Sequence, residues 1–570
     1  VIGAVKGLTY NLTNGKIETT KLGKDGIFDS QENKYWKEMK VSLPKVRVGS
    51  VIDLTYSITS PYLFNYRDWQ FQYSIPAVWS EYRASFIEYY KYQQLMQGYL
   101  TPDVIETSSG QTQFTVRTDA QVGVGGGGQY QSGSTDTYSA DVTNYRWAIK
   151  NVPAFYDEPH LTSRENYVSK INFQLVGQQW PNRPYENLLG SWDKVNEVFS
   201  QSESFYKKVS GSNFLQKEVD EIIARGNHEN DIQKASAIHS YLISNVGWNG
   251  FNSTSSNNAF RKVLSDKKGS VADINLMLTS MLQKAGLNAE PVLISTRNHG
   301  FVRPQYPIVD QFNYVICRLI IDNKQILIDA TDSFSPFGAI PERCLNGQGL
   351  AITPNGASWV DIVPSYEDSE KIVLEATLKD DVLVGTLERR YLGYAARNAR
   401  AKFISDSTDF KDDFTKVLSW ETSNMKTNDF LNFTNSPVVA TDFSLDIEST
   451  GSLIYLSPVF IKKWSKNPFK LESRDYPVDF SAPKSFTYYL SLKLPQGVTI
   501  EDIPESKLIA LPNNGGTFRY TVGNQNSHLT VLCKLDLNKV IFVQNEYPYL
   551  KEFFEQMIEL QNQIIVLKKT

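Results

Sequence analysis

Residues 267–289, KKGSVADINLMLTSMLQKAGLNA, decide the fold. Ile274, Met277 with Leu278, Met281 with Leu282, and Ala285 recur at helical spacing, giving an amphipathic helix with one buried stripe, and Gly286 ends it. Ser270 followed three residues later by Asp273 reads as a capping box, which makes Ser270 the N-cap and Val271 the first helical residue. The first turn of a helix presents unpaired N–H groups and the positive end of the helix dipole. A cysteine placed there is held toward thiolate, so the position suits a sulfur nucleophile. Valine brings neither charge nor lone pair.

Helical spacing also precedes this stretch. After a linker at PNRPYENLLG, from residue 181, Ser191 can cap a helix carrying Trp192, Val195, Val198 and Phe199. A second helix runs from Phe214 to Arg225, and a third places Ile232, Ala235, Ile238 or His239, Leu242 and Val246 on one face. Downstream come a strand at Pro291–Ser295 and a hairpin pairing FNYVICRLII (312–321) with QILIDAT (325–331) across Asp322-Asn323-Lys324. This helix-plus-antiparallel-sheet core fills 181–365. The chain before it, 1–180, is strand-rich: Ile52, Leu54, Tyr56 and Ile58 alternate with polar neighbours, as do Trp69, Phe71, Tyr73 and Ile75, predicting one buried face in each strand. Residues 366–570 return to strands and close on a helix around Tyr549–Gln561 and an apolar strand. The fold class is α+β, a helix-and-sheet core between two mainly-β, sandwich-like domains.

A chain of 570 residues exceeds one hydrophobic core, in keeping with that division. The net charge of −4 argues against a nucleic-acid binder, which would carry a basic excess. Cys317, Cys344 and Cys533 are too few and too scattered for a disulfide framework or a CxxC metal site, and the five histidines show no ligand spacing. Neither a metal nor a cofactor is expected. No apolar run reaches the roughly 18 residues of a membrane span. The opening VIGAVKGLTYNLTNGK reads as strand and turn, so the expectation is that a targeting segment has been removed from ahead of it. The glycine loop at 122–134 lacks the Gly-Lys-Ser/Thr ending of a phosphate cradle.

From about Trp248 to Ala351 the chain resembles the transglutaminase-like core of the papain-like superfamily. In that family a Gly-x-Cys helix supplies the nucleophile, a His on the next strand the base, and an Asp on a later strand the group that orients the His. The resemblance puts Val271 in the cysteine place, Tyr314 of Phe312-Asn313-Tyr314-Val315 in the histidine place, and Asp329 of Asp329-Ala330-Thr331 in the acid place. The segments YRWAIKNVPAFYDEPHL (145–161), GTLERRYLGYAARNAR (385–400) and the closing helix resemble domains of unknown function that flank such cores in Gram-negative envelope proteins. An extracytoplasmic location, periplasm or cell surface, is implied by that resemblance alone.

Two of three catalytic positions being replaced, the chain reads as a non-catalytic envelope protein that uses its degenerate transglutaminase-like core and its β domains to bind a peptide, protein or glycan. Trp248, His299 in a loop, and Asn313 are the candidate binding residues. The alternative is a thiol-independent hydrolase or acyltransferase using Ser270, Tyr314 and Asp329, although Ser270 is accounted for as a helix cap and a tyrosine is protonated at neutral pH. Cys317, three residues beyond Tyr314, should face away from it as a buried thiol. A further reading makes the aromatic run at 62–92 a sugar-stacking surface, against sheet packing as the commoner role.

Overall fold

The computed structural model describes residues 2–569 except 32–36, 61–62, 64–65, 119–120, 123–129, 132–133, 227, 419, 434 and 526. Most of the glycine loop therefore lies outside the described residues. Val1–Asp68 with Phe173–Leu175 form one compact unit, and Trp69–Asn172 with Val176–Thr570 form the other.

In the smaller unit, Ile2–Thr13 pairs with Lys16–Lys21 on one side and with Val51–Ile58 on the other. The alternation at 52–58 does not give a buried face: Ile52, Leu54 and Tyr56 are 49%, 42% and 56% exposed. Alternation shows which side chains share a face; burying that face takes a second layer, and no described layer covers these residues. The expected strand at 69–75 is also shorter than its pattern. Only Trp69–Gln70 is a strand. Beyond it the backbone turns to irregular segments, with the Phe71 N–H donating to the carbonyl of Ser169 and the Phe155 N–H to that of Tyr73.

The larger unit opens with a three-stranded sheet in which Ser134–Val152 lies between Ala77–Ile87 and Val104–Thr118. Its aromatics pack on one another. Tyr82 stacks on Trp69 and Trp147, and Trp147 on Tyr145, at 5.2–6.2 Å between ring centroids.

The helical core follows. Ser191 caps Trp192–Ser200 through a bond from the Lys194 N–H, and Asn230 caps Asp231–Asn245 in the same way. The capped helix of the opening stretch, Val271–Lys284, carries the full capping box. It differs from expectation in being buried on every side from Val271 to Leu282. Helices Tyr206–Gly211, Leu215–Ala224 and Asp231–Asn245 and the core sheet all pack against it, so a helix legible as amphipathic becomes the centre of the core. Its polar residues are satisfied locally: Thr279 donates to the carbonyl of Asn275, and Ser280 to that of Val209.

Against it stands a five-stranded antiparallel sheet in the order Lys324–Ile328, Tyr314–Ile321, Asn288–Ile294, Gln348–Thr353, Gly356–Asp361. The hairpin turns at Asp322 and Asn323, both with positive φ, the geometry that two-residue hairpins favour.

The C-terminal part is built on an eight-stranded sheet. Within it Asp368–Lys379 runs parallel to Lys484–Lys493. The closing helix Tyr547–Gln561 buries Leu550, Phe553, Phe554, Met557 and Leu560 in the same apolar cluster as these strands.

Residues 158–162, 297 and 474–481 meet in a polar junction joining all three parts of this unit. Arg474, 6% exposed, pairs with Glu158 at 2.8 Å, and Arg297 pairs with Asp479 at 3.0 Å. His160 lies here with its ring 4.7 Å from that of Phe480. Burial, then the charges of Lys484 and Arg474, hold its pKa down at about 4 against an ordinary 6.5. The folded chain thus binds fewer protons at this site than the unfolded chain. The stability this contributes is complete above pH 6.5 and drains as the pH falls from 6.5 toward 4. Urea midpoints should decline over that window, and His160→Gln should flatten the decline.

Candidate functional site

The N–H groups of the capped helix's first turn are taken, that of Val271 by the Phe251 carbonyl, that of Ala272 by the Ser253 hydroxyl and that of Asp273 by Ser270, and Val271 itself has no exposed surface. Ser270 is engaged as its cap, accepting from the Asp273 N–H at 3.3 Å and from the Ser253 hydroxyl at 3.0 Å. Burial pushes the Asp273 carboxyl up, but bonds from Ser256, Asn258 and Ser270 outweigh it and hold the group below its usual range.

One turn along the same helix, Asn275 ties it to two strands. Its amide donates to the carbonyl of Val315 and to Asp329 Oδ2, both at 2.9 Å, and its oxygen accepts from the Ala330 N–H. Asp329 thereby becomes the hub of a buried polar cluster. Oδ2 also accepts from the Tyr314 hydroxyl at 2.8 Å, while Oδ1 accepts from the N–H and the hydroxyl of Thr331. The Tyr314 and Thr331 hydroxyls lie 2.7 Å apart. His239 Nε2 is 3.0 Å from the Asp329 carbonyl, and burial lowers its pKa, keeping the ring neutral.

Arg343 completes the cluster from a short 3-10 turn, Glu342–Cys344. Its guanidinium donates to Tyr314 at 3.0 Å and to Thr331 at 2.7 Å, and sits 4.6 Å from the Trp248 ring and 5.6 Å from that of Tyr314. A planar cation between two aromatic faces is a well-packed arrangement. It fills the space between Trp248 and Tyr314. Cys344, the next residue, is fully buried against the same cluster.

These surroundings set the protonation states. Burial, then the charge of Asp329, raise the Tyr314 phenol well above its ordinary 10. The same two causes raise the Cys344 thiol well above 9. Burial pushes Cys317 up to about 12. The phenol and both thiols are thus held in their protonated forms at neutral pH.

Of the residues singled out from the sequence, Tyr314 and Asp329 meet directly, and both are sealed with Val271 in one apolar core. Ser270 shares no bonding partner with Tyr314. Trp248 stands beside the cluster, but its face is covered by Arg343 and its N–H is taken by the Phe251 carbonyl. Asn313 and His299 come together elsewhere, around the loop 295–300. The Asn313 amide both accepts from the Thr296 N–H and donates to its hydroxyl, and His299 is 3.0 Å from the Ser295 hydroxyl. Asn346 pins that loop through three backbone carbonyls. Asn275, Thr331, Arg343 and Cys344 were missed. Asn275 left a sequence signal as a polar residue one turn from Val271, and Thr331 as the last residue of the Asp329-Ala330-Thr331 motif.

Among the described residues no group of three His, Cys, Asp or Glu side chains is placed to hold a metal ion, and no helix is long and apolar enough to cross a membrane. A polar recess of about 330 Å³ is lined by Asn249, Asn258, Lys262, Val263, Asp266 and Lys268, none of them part of the Asp329 cluster.

Residues 219–315 match the Transglutaminase-like superfamily, a span that holds Val271 and Tyr314 and stops before Asp329. Residues 452–567 match a domain of unknown function with solved structure, DUF3858. The fold is similar to the crystal structure of a candidate protease from Parabacteroides distasonis, with a TM-score of 0.56 at 12% identity over 100% of this chain and 91% of that one. A candidate cysteine protease from Cytophaga hutchinsonii, 12% identical, aligns over 50% of this chain and 88% of that one with a TM-score of 0.19. No curated protein matches the chain. The chain therefore contains a transglutaminase-like core, followed by a DUF3858 domain, in an α+β fold with β-rich flanks.

Proposed function

We propose that this chain is a non-catalytic protein of the cell envelope that binds a peptide, protein or glycan through its β-rich parts, with the transglutaminase-like core kept as their scaffold. The observation that carries the reading is Arg343, which lies between Trp248 and Tyr314 and bonds to the Tyr314 hydroxyl in place of any substrate group. Nucleophilic catalysis needs a nucleophile within reach of its base and open to substrate. Valine at the head of the helix, a protonated phenol and a sealed carboxylate meet none of those needs. The alternative, a hydrolase or acyltransferase built on Ser270, Tyr314 and Asp329, has against it that the Ser270 hydroxyl is engaged with Ser253 and Asp273 rather than with a base.

Intact-mass spectrometry tests this. Native protein exposed to iodoacetamide or to a fluorophosphonate should gain no adduct, while the denatured chain should be alkylated at Cys317, Cys344 and Cys533. A fluorophosphonate adduct at Ser270, or amide hydrolysis that survives Cys317→Ala and Cys344→Ala, would sink the proposal. The envelope location rests on the resemblance of the flanking domains and is checked separately by cell fractionation.

A further inference from the structure

We propose that the strand Val104–Thr118 is an assembly edge, through which two copies of this chain pair antiparallel about a twofold axis centred on Thr112. The strand is the outer member of its sheet, bonded to Ser134–Val152 in a register that runs without a bulge from Val104–Ala148 to Thr118–Ser134. Among the described residues, every hydrogen bond that its backbone makes is to that one neighbour.

Sheet edges in native proteins are normally blocked by lysine, proline, a bulge or a covering segment, because an open row of N–H and C=O groups is a template for another strand. From Thr107 to Val116, TSSGQTQFTV, there is no charge and no proline, the register has no bulge, and among the described residues no other segment bonds to this edge. The opposite edge of the same ribbon is different, since Ser134–Asp141 carries Asp136 and Asp141. The third strand reinforces the sheet only between Val142 and Val152. Gln111–Thr118 and Ser134–Asp141 are thus a two-stranded ribbon, an arrangement of marginal stability until further strands are added.

The sequence of the edge favours a second copy as its occupant. An uncharged strand meets no like charge when paired with itself, whereas a charged one would. Residues opposite each other in an antiparallel pair share a face, so the axis must pass through a residue. Centred on Thr112, it sets Thr112 against Thr112, Gln111 against Gln113, Ser109 against Thr115, and Gly110 against Phe114. Threonine pairs and glutamine amides bond across strands, and a large side chain opposite glycine covers the backbone that glycine leaves bare. Ser109, Gln111, Gln113 and Thr115 already form the exposed face, with Gln111 bonded to Asp141 and Gln113 to Ser139. Phe114 lies on the inner face against Tyr89 and Tyr138. Pairing would turn two three-stranded sheets into one of six.

Sedimentation velocity on the full chain reads this directly. The wild type should be a dimer. Gln111→Lys with Gln113→Lys sets lysine against lysine across the axis and should give a monomer with an unchanged circular dichroism spectrum, since the first of these lysines would still face Asp141 in its own ribbon. Gln111→Lys with Gln113→Glu sets opposite charges together and should restore the dimer. Thr112→Cys should form a disulfide-linked dimer under mild oxidation. A monomeric wild type, or a charge-paired variant that stays monomeric, would overturn the proposal.

Discussion

Asp329→Ala is expected to destabilise the helical core by about 3–5 kcal/mol, the range seen when one member of a buried charged network is removed. The carboxylate has no exposed surface and accepts from the Asn275 amide, the Tyr314 hydroxyl, and the N–H and hydroxyl of Thr331. Without it the Thr331 N–H loses its acceptor, the Asn275 amide keeps only the Val315 carbonyl, and the Tyr314 and Thr331 hydroxyls are left with one another. The Arg343 cation beside them loses the negative charge that faces it. Tyr314→Phe removes one bond to Asp329 and one acceptor of Arg343, and should cost about 1–3 kcal/mol. Urea unfolding followed by tryptophan fluorescence gives both values from the transition that reports the core. A loss under about 1 kcal/mol for Asp329→Ala would mean that water enters the cluster and that the site is open. Such a result would also weaken the non-catalytic reading.

The second large effect is expected at a distance from that cluster. Asp479, 6% exposed, accepts from the Thr162 hydroxyl at 2.7 Å and the Ser481 N–H at 2.7 Å, and its own N–H donates to the His160 carbonyl. It is also the acid partner of Arg297, which donates to the carbonyl of Leu345 and whose N–H reaches that of Arg343. The turn that inserts Arg343 and Cys344 into the core is therefore held from outside by Arg297, and Arg297 is held by the C-terminal domain. Asp479→Ala leaves the guanidinium unpaired and should lower the cost of opening that turn by about 3 kcal/mol. At about 1.4 kcal/mol per tenfold, alkylation of Cys344 should quicken by about a hundredfold. Cys317 and Cys533, buried in the core sheet and in the C-terminal sheet, should label at the wild-type rate. Peptide mapping after timed exposure to iodoacetamide separates the three thiols. Equal labelling of Cys344 in variant and wild type would show that the turn does not depend on the junction.

Local signals in the chain were sufficient for the elements. Ser270 with Asp273 specified a helix start to the residue, because a capping box needs only four consecutive positions. Asp322-Asn323-Lys324 marked a hairpin, which closes over Asp322 and Asn323, both of positive φ, with Lys324 already in the second strand. The closing helix, expected around Tyr549–Gln561, runs from Tyr547 to Gln561. Val271 and Tyr314 were legible for the same reason, each sitting inside a short motif.

Other features depended on partners far along the chain. The strand at 52–58 carried the pattern of a half-buried strand, and its exposure was decided by whether another layer lay over it, whereas 69–75 carried the same pattern and stays a strand only at Trp69–Gln70. Arg343 and Cys344 follow a proline in an unpatterned loop, and nothing nearby marks them as neighbours of Tyr314, 29 residues away. That Val271 heads a helix was determined by the sequence alone, since caps and periodicity act within a turn or two. That the space beside Tyr314 is filled by an arginine was decided only by the tertiary structure, because burial and charge pairing are set by which distant segments pack together.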